Sequence, residues 1–347
     1  MFNKRSIDYC GVQIVKIGIS KIKYKNINAL LMESDQLAVT IIPESGSKIQ
    51  SIFDKIHQRE LLYQSERTEF RKARYASKFE NGDFSGFDEV FPSIDECFYP
   101  SWPWKGTPIP DHGEVWALPW DYEVKDNLIS MHVNGVRFPY SIEKKMEFIK
   151  GNCFRMSYEV TNYSNFDFEC IWSPHPFFVC DENTMVVLPP SVKQVISTCS
   201  LENKLGDYGA IHPWPVTRDP SGERYDISDV LNPKYAGKCE KFYTVNQPPE
   251  GWCALHNTRT GETIGLSYPV DKLPYLGVWE GIINDQYITA LEPVTGAFDR
   301  LDASKLWNKT GVIKAKSTDN WYLNLTIGTI SRFNSIDKNG FIISDEQ

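Results

Sequence analysis

Two imidazoles and one carboxylate stand in unusual local settings in this chain. His112 lies in Asp111-His112-Gly113-Glu114, His175 in Pro174-His175-Pro176-Phe177-Phe178, and Glu292 in Leu291-Glu292-Pro293. Brought together, they would supply one group to take a proton and another to give one, at two ends of a small polar substrate. Prolines on both sides of His175 hold its backbone extended and remove a ladder donor, so the segment suits the end or edge of a strand that aims the ring. The apolar flank would desolvate that ring. Glu292, wedged between Leu291 and Pro293, is expected to be partly buried, with its pKa raised toward that of a useful base. Gly113 allows a tight turn, or a ligand's approach to the backbone, beside His112. If that stretch is a strand, His112 and Glu114 share a face and point together into a pocket.

Each residue also has a plain structural reading: a core histidine, a solvated turn and a strand-end carboxylate. Two histidines and a carboxylate also make a facial metal triad, and His112 with Glu114 forms an H-x-E pair. Metal sites usually show tighter ligand spacing, such as H-x-H or H-x-x-x-H, and none occurs here, so no metal is expected. No G-x-S-x-G elbow, Walker loop or dinucleotide-binding glycine pattern is present. A two-carboxylate glycosidase built on Glu292 with Glu114 or Glu280 would leave the histidines unexplained.

Positioning three such distant residues needs a large fold, and the chain reads as mostly β. Ala29–Ser34 and Gln36–Pro43 look like strands joined at Ser34-Asp35, and Ile49–Phe53 reads as a third. Asn134-Gly135 suits a tight hairpin after the strand Asn127–Val133. Phe148–Asn162 has the form strand, Lys-Gly-Asn turn, strand. Thr263–Tyr268 and Trp321–Ile327 repeat the style, and Leu276–Glu280 reads as the neighbour of the Glu292 strand. Short helices are expected only at Lys72–Lys78 and Asp302–Trp307. Many short strands separated by Gly, Asn and Pro predict an all-β sandwich or barrel. No linker divides residues 1–347, so one domain is expected, with a loop insertion at Leu201–Pro233 and a weakly ordered polar tail at Ser335–Gln347, in which Phe341-Ile342-Ile343 is the stretch able to pack.

The balance of the chain narrows the partners. A net charge of −8 disfavours a general nucleic-acid-binding surface. The basic run Arg67–Arg74, interrupted by Glu66 and Glu69, reads as a mixed solvated segment. Aromatic residues make up 13% of the chain, and Trp102, Trp104, Trp116 and Trp120 crowd the neighbourhood of His112, where they are expected to help line a sugar-binding wall. The eight cysteines form no Cys-x-x-Cys pair, the start Met1–Cys10 lacks an apolar signal core, and no run is long enough to span a membrane. The expectation is a cytoplasmic protein, monomer or homodimer, with reduced thiols and neither membrane nor nucleic acid as partner.

Taken in order, several segments resemble the aldose 1-epimerase (galactose mutarotase-like) superfamily. They are Ile42-Pro43-Glu44-Ser45-Gly46-Ser47-Lys48-Ile49, Gly86-Phe87-Asp88-Glu89-Val90-Phe91-Pro92, Asp111-His112-Gly113-Glu114, His175-Pro176-Phe177-Phe178, Leu276-Gly277-Val278-Trp279 and Leu291-Glu292-Pro293-Val294-Thr295-Gly296. Each motif is weak alone; all of them in order, across about residues 27–330, are specific. The resemblance implies a large antiparallel β-sandwich (the galactose mutarotase-like supersandwich), a carbohydrate substrate and no required cofactor. It implies Glu292 as the base that takes the anomeric proton, His175 as the acid at the ring oxygen and His112 as a substrate-binding or charge-stabilising group. Trp279, Glu280, Glu114 and Arg71 are the expected further sugar contacts. The chain departs from galactose mutarotases proper: a further sugar-binding Asp is not located, and the early loop lacks their N-R signature, with Arg71 or Arg74 standing in. The match is therefore to a broader, less characterised branch. Arginines at 71 and 74 keep open a hexose-6-phosphate substrate, since guanidinium groups bind phosphate in bidentate fashion. A non-catalytic carbohydrate-binding protein on the same fold is the alternative from another class.

Overall fold

Residues of alternating character pair into antiparallel ladders that place one row of side chains in a common core and the other row outside it. The structure, a computed structural model, describes residues 17–200, 204–230 and 239–344. The start Met1–Cys10 and part of the Leu201–Pro233 insertion lie outside the described residues. Three sheets carry the architecture. In the first, strands Gly18–Tyr24, Ile27–Glu33, Leu37–Ile42, Lys48–Asp54, Phe87–Val90 and Ser173–Pro176 follow one another in space, and Arg59–Glu60 pairs with Lys48–Asp54. The second runs Thr184–Val187, Trp252–Asn257, Glu262–Ser267, Thr318–Thr329, Cys153–Asn162, Tyr140–Lys150, Leu128–Asn134 and Asp121–Lys125. The third runs Phe178–Cys180, Gln286–Val294, Tyr275–Ile283, Cys239–Thr244, Gln194–Ser200 and Ile211–Pro213.

The first and third sheets meet where the chain passes directly from Ser173–Pro176 into Phe178–Cys180, and Ser173–Pro176 lies against Gln286–Val294. One continuous core joins Val39 and Ile52 of the first sheet and Phe242, Val278 and Leu291 of the third to Ile142, Met156 and Leu323 of the second. The arrangement is therefore an all-β antiparallel sandwich, as expected. Among the described residues no helix is long and apolar enough to cross a membrane.

Several local expectations need correction. The return strand after Asn134-Gly135 begins only at Tyr140, and Asn134 pairs with Ser141, so a longer loop replaces the tight hairpin. Gly151-Asn152, by contrast, closes a two-residue turn with Lys150 opposite Cys153. Lys72–Lys78 is not helical; the chain there forms one 3₁₀ turn at Phe79–Asn81. The short helix near Asp302 spans Leu301–Leu306. Within the expected tail, Ser335–Ile336 pairs with Ile342–Ile343, and Ile336 packs on Trp252 and Ala254 over the bare backbone of Gly265, with Ile342 against the same cluster.

Candidate active site

Strand alternation decides which residues can meet. In Gln286–Val294, Leu291 enters the core, so Glu292 points to the opposite face. Next door, Val278 enters the core while Gly277 and Trp279 face outward, with Gly277 directly opposite Glu292. One strand further, Phe242 enters the core while Lys241 and Tyr243 share the outward face. His175 pairs with Asp88, whose side chain forms a direct ion pair with Lys48 on that face. Glu89, turned the other way, binds Lys144, Tyr158 and Trp172 in the core. Those buried partners fix the strand against which His175 is laid.

The geometry then follows. His175 Nδ1 lies 2.7 Å from Glu292 Oε1. Lys241 Nζ lies 2.7 Å from Glu292 Oε2 and 2.7 Å from Asp299 Oδ1. The Tyr243 hydroxyl donates to Asp299 Oδ1 at 2.8 Å. The His112 ring centre lies 5.1 Å from that of His175. His112 Nδ1 is 2.8 Å from Asp111 Oδ1, and the other Asp111 oxygen accepts the Phe79 backbone N–H at 2.9 Å. Phe79 covers both histidines: it stacks on His112 at 3.9 Å with rings 7° apart and meets His175 edge-on at 5.5 Å. Trp116, Phe177 and Trp279 complete the aromatic wall, with Phe177 and Trp279 stacked at 5.5 Å.

His112 reaches this place through a left-handed turn, with φ of 56° at His112 and 72° at Gly113. The turn is pressed against the Phe91 carbonyl so closely that a Cβ on Gly113 would stand 2.0 Å from it, which only glycine permits. This turn also overturns the expected shared face of His112 and Glu114, because the stretch is not a strand. Glu114 instead turns inward, fully buried. It accepts the Tyr75 and Tyr140 hydroxyls and the backbone N–H groups of Val136 and Arg137. Four donors occupy its carboxylate and hold the His112 loop to the sandwich; this is an anchor, not a sugar contact.

Glu280 is corrected in the same way. It follows Trp279 in a strand, so the two point to opposite faces. Glu280 is buried on the core side, opposite Glu240 and Thr289 in register, while Trp279 stays on the site side. Arg71 is exposed, and its guanidinium contacts Asn81 at 3.4 Å on the loop that carries Phe79. Of the four tryptophans near His112, only Trp116 joins the site. Trp120 is buried in the core, Trp104 packs against it, and Trp102 is exposed beside Phe166. Lys241, Asp299 and Phe79 were not anticipated. A lysine alternating with Tyr243 across the core residue Phe242 was the available signal, but nothing in its spacing pointed to Glu292.

The electrostatics also differ from expectation. Burial alone raises the Glu292 pKa, but the Lys241 ammonium and the His175 hydrogen bond outweigh it and bring the pKa down to about 2. Glu292 is thus ionised and can only accept, so the proton between it and His175 sits on Nδ1 and leaves His175 Nε2 free. Burial lowers the His112 pKa, opposed by Asp111 and assisted by His175, which keeps its ring neutral at neutral pH. Among the described residues one cluster has ligand-like convergence for a metal, Asp54, His57 and Glu262, on another part of the molecule. There His57 already bonds Asp54 at 2.7 Å, and Arg59 faces Glu262 at 3.3 Å.

No family model matches the sequence, and no curated protein matches it. Solved structures do. A Klebsiella pneumoniae protein provisionally named an aldose 1-epimerase superposes with a TM-score of 0.69 at 14% identity, covering 92% of this chain and 85% of that one. This is the galactose mutarotase-like fold. A galactose mutarotase-like protein from Clostridium acetobutylicum gives 0.66 at 14% identity, covering 90% of this chain and 99% of its own. A galactose mutarotase related enzyme from Lactobacillus acidophilus gives 0.61 at 14% identity, covering 90% and 98%. At these identities the likeness is one of fold, and the chemistry rests on the side chains.

Proposed function

We propose that this protein is an aldose 1-epimerase that interconverts the α and β anomers of a sugar. The observation that carries the reading is the contact of His175 with Glu292 at 2.7 Å, with His112 beside it in an aromatic-walled site. A binding module needs no matched acid and base. The same reading takes residues 1–347 as one sandwich domain, in keeping with a core that draws on residues from Leu30 to Ile327.

In this mechanism Glu292 takes the proton of the anomeric hydroxyl. Its carboxylate is held by His175 at Oε1 and by the Lys241 ammonium 2.7 Å from Oε2, and as an ionised group it keeps lone pairs to accept that proton. His175, as the imidazolium, gives its Nε2 proton to the ring oxygen. The bond from C1 to the ring oxygen breaks, C1 becomes an aldehyde, and rotation about C1–C2 exposes its other face. Reclosure reverses the two transfers, with the proton leaving Glu292 for the new anomeric oxygen and the ring-oxygen proton returning to His175. Neutral His112 binds a sugar oxygen beside the ring, and Trp279 offers a flat apolar face. Glu292 has no exposed surface, so a sugar reaches it only when side chains around it move aside.

The test is polarimetry on freshly dissolved α-anomers of glucose, galactose, uronic acids and sugar 6-phosphates. Faster approach to equilibrium with one of them identifies the enzyme and its substrate class. Sugar binding without acceleration would instead identify a carbohydrate-binding protein.

A further inference from the structure

Lys241 has no part in the proton transfers above, yet among the described residues it is the ammonium placed against their carboxylate. Its Nζ atom stands 2.7 Å from both Glu292 and Asp299, and its side chain is only 6% exposed. Burying a lysine between carboxylates carries a desolvation penalty, and an apolar residue would often serve stability equally well. The neighbours are arranged for it. Gly277 lies between Tyr243 and Glu292; a Cβ there would stand 2.8 Å from the Tyr243 ring and 3.3 Å from Glu292 Oε2. Asp299 in turn accepts the backbone N–H groups of Ile94 and Asp95 through its carbonyl, and Ile94 accepts the His112 N–H at 2.6 Å. The ammonium therefore joins the strand that carries Glu292 to the loop that carries His112.

We propose that Lys241 is a positioning residue of this acid–base site, its ammonium clamped between Glu292 and Asp299 so that the Glu292 carboxylate is held against His175 and in register with the His112 loop. The proposal rests on the epimerase reading for its catalytic consequence, but the clamp itself is open to a measurement without substrate. The charge also keeps Glu292 ionised, overcoming the effect of burial. The site thus trades base strength for a fixed, permanently charged acceptor, since a lower pKa means weaker proton affinity.

The experiment compares wild type with Lys241→Met in the full chain, with folding checked by circular dichroism. The His175 ring nitrogens, followed by NMR against pH, report ionisation of the hydrogen-bonded Glu292. Wild type is expected to show no carboxylate inflection above about pH 3, and Lys241→Met to show one moved up by more than about one unit. An unchanged titration in folded Lys241→Met overturns the proposal. If that variant does not fold, Lys241→Gln keeps a donor for the carboxylates, lacks the charge, and carries the same expectation. Where wild type accelerates mutarotation, Lys241→Met is expected to lower kcat at least about tenfold with KM within about threefold, and Lys241→Arg to restore part of it. Unchanged kcat in a folded variant also overturns the proposal. A wild type inactive on every sugar defeats the epimerase reading, while the titration still decides the clamp.

Discussion

His175 Nδ1 and Glu292 Oε1 are 2.7 Å apart although 117 positions separate the residues in the chain. They come from strands assigned to different sheets, at the line where the first sheet gives way to the third. The contact orients the imidazole and decides which nitrogen carries the shared proton; in the proposed mechanism the other nitrogen serves the ring oxygen of the sugar. A second ring, His112, arrives from a left-handed turn rather than a strand, so the two histidines meet at an angle of 57°.

Glu292→Gln keeps the size of the side chain but removes the acceptor charge. Mutarotation is expected to fall by at least about 10²-fold, the usual scale of a general base, while sugar binding changes by less than about threefold. Polarimetry and titration calorimetry on the same preparation check this. Full activity in the variant would remove Glu292 as the base.

Stability is expected to fall in acid, with a defined sign. Glu292 has its pKa lowered from 4.5 to about 2, so between those values the unfolded chain binds more protons than the folded one. Its contribution, about 3 kcal/mol, is complete above the unfolded value and disappears as pH falls toward 2. His112, lowered from 6.5 mainly by burial, has the same sign and starts to act as pH falls below 6.5. Urea midpoints measured from pH 7 to pH 3 should decline throughout. Glu292→Gln should flatten the lower part of that curve and His112→Gln the upper part.

Trp279 and Glu280 provide a paired control from adjacent positions. Trp279→Ala is expected to raise KM at least about tenfold with little change in kcat, since it removes the proposed binding face on the site side. Glu280→Gln, on the core side, is expected to lower the Tm and leave both constants within about twofold. Equal kinetic effects from the two variants would contradict the assignment of faces.

Phe79 shields His112 from water. Phe79→Ala is expected to destabilise the fold by about 3 kcal/mol, as for other buried phenylalanines. It should also move the His112 titration back toward 6.5, because burial is the main cause of its depression. Ring proton shifts followed against pH give the direction directly. A downward movement would mean that Phe79 does not desolvate the ring.

Much was legible in the residues alone. Many short strand-like runs separated by Gly, Asn and Pro announced an all-β sandwich or barrel, because strand and turn preferences are properties of each segment by itself. The prolines around His175 announced an extended edge segment, because proline restricts φ and removes a donor wherever it stands. The order of the His, His and Glu motifs pointed to one site. What remained for the tertiary structure was every relation between strands. No local pattern could place Lys241 against Glu292, and that placement reversed the expected direction of the Glu292 pKa. Glu114 and Glu280 were candidates only while the face of each was open; a left-handed turn and a strand register turned both inward. Proton affinity depends on which charges stand a few ångströms away, and here those charges come from strands that only the sheet order makes neighbours.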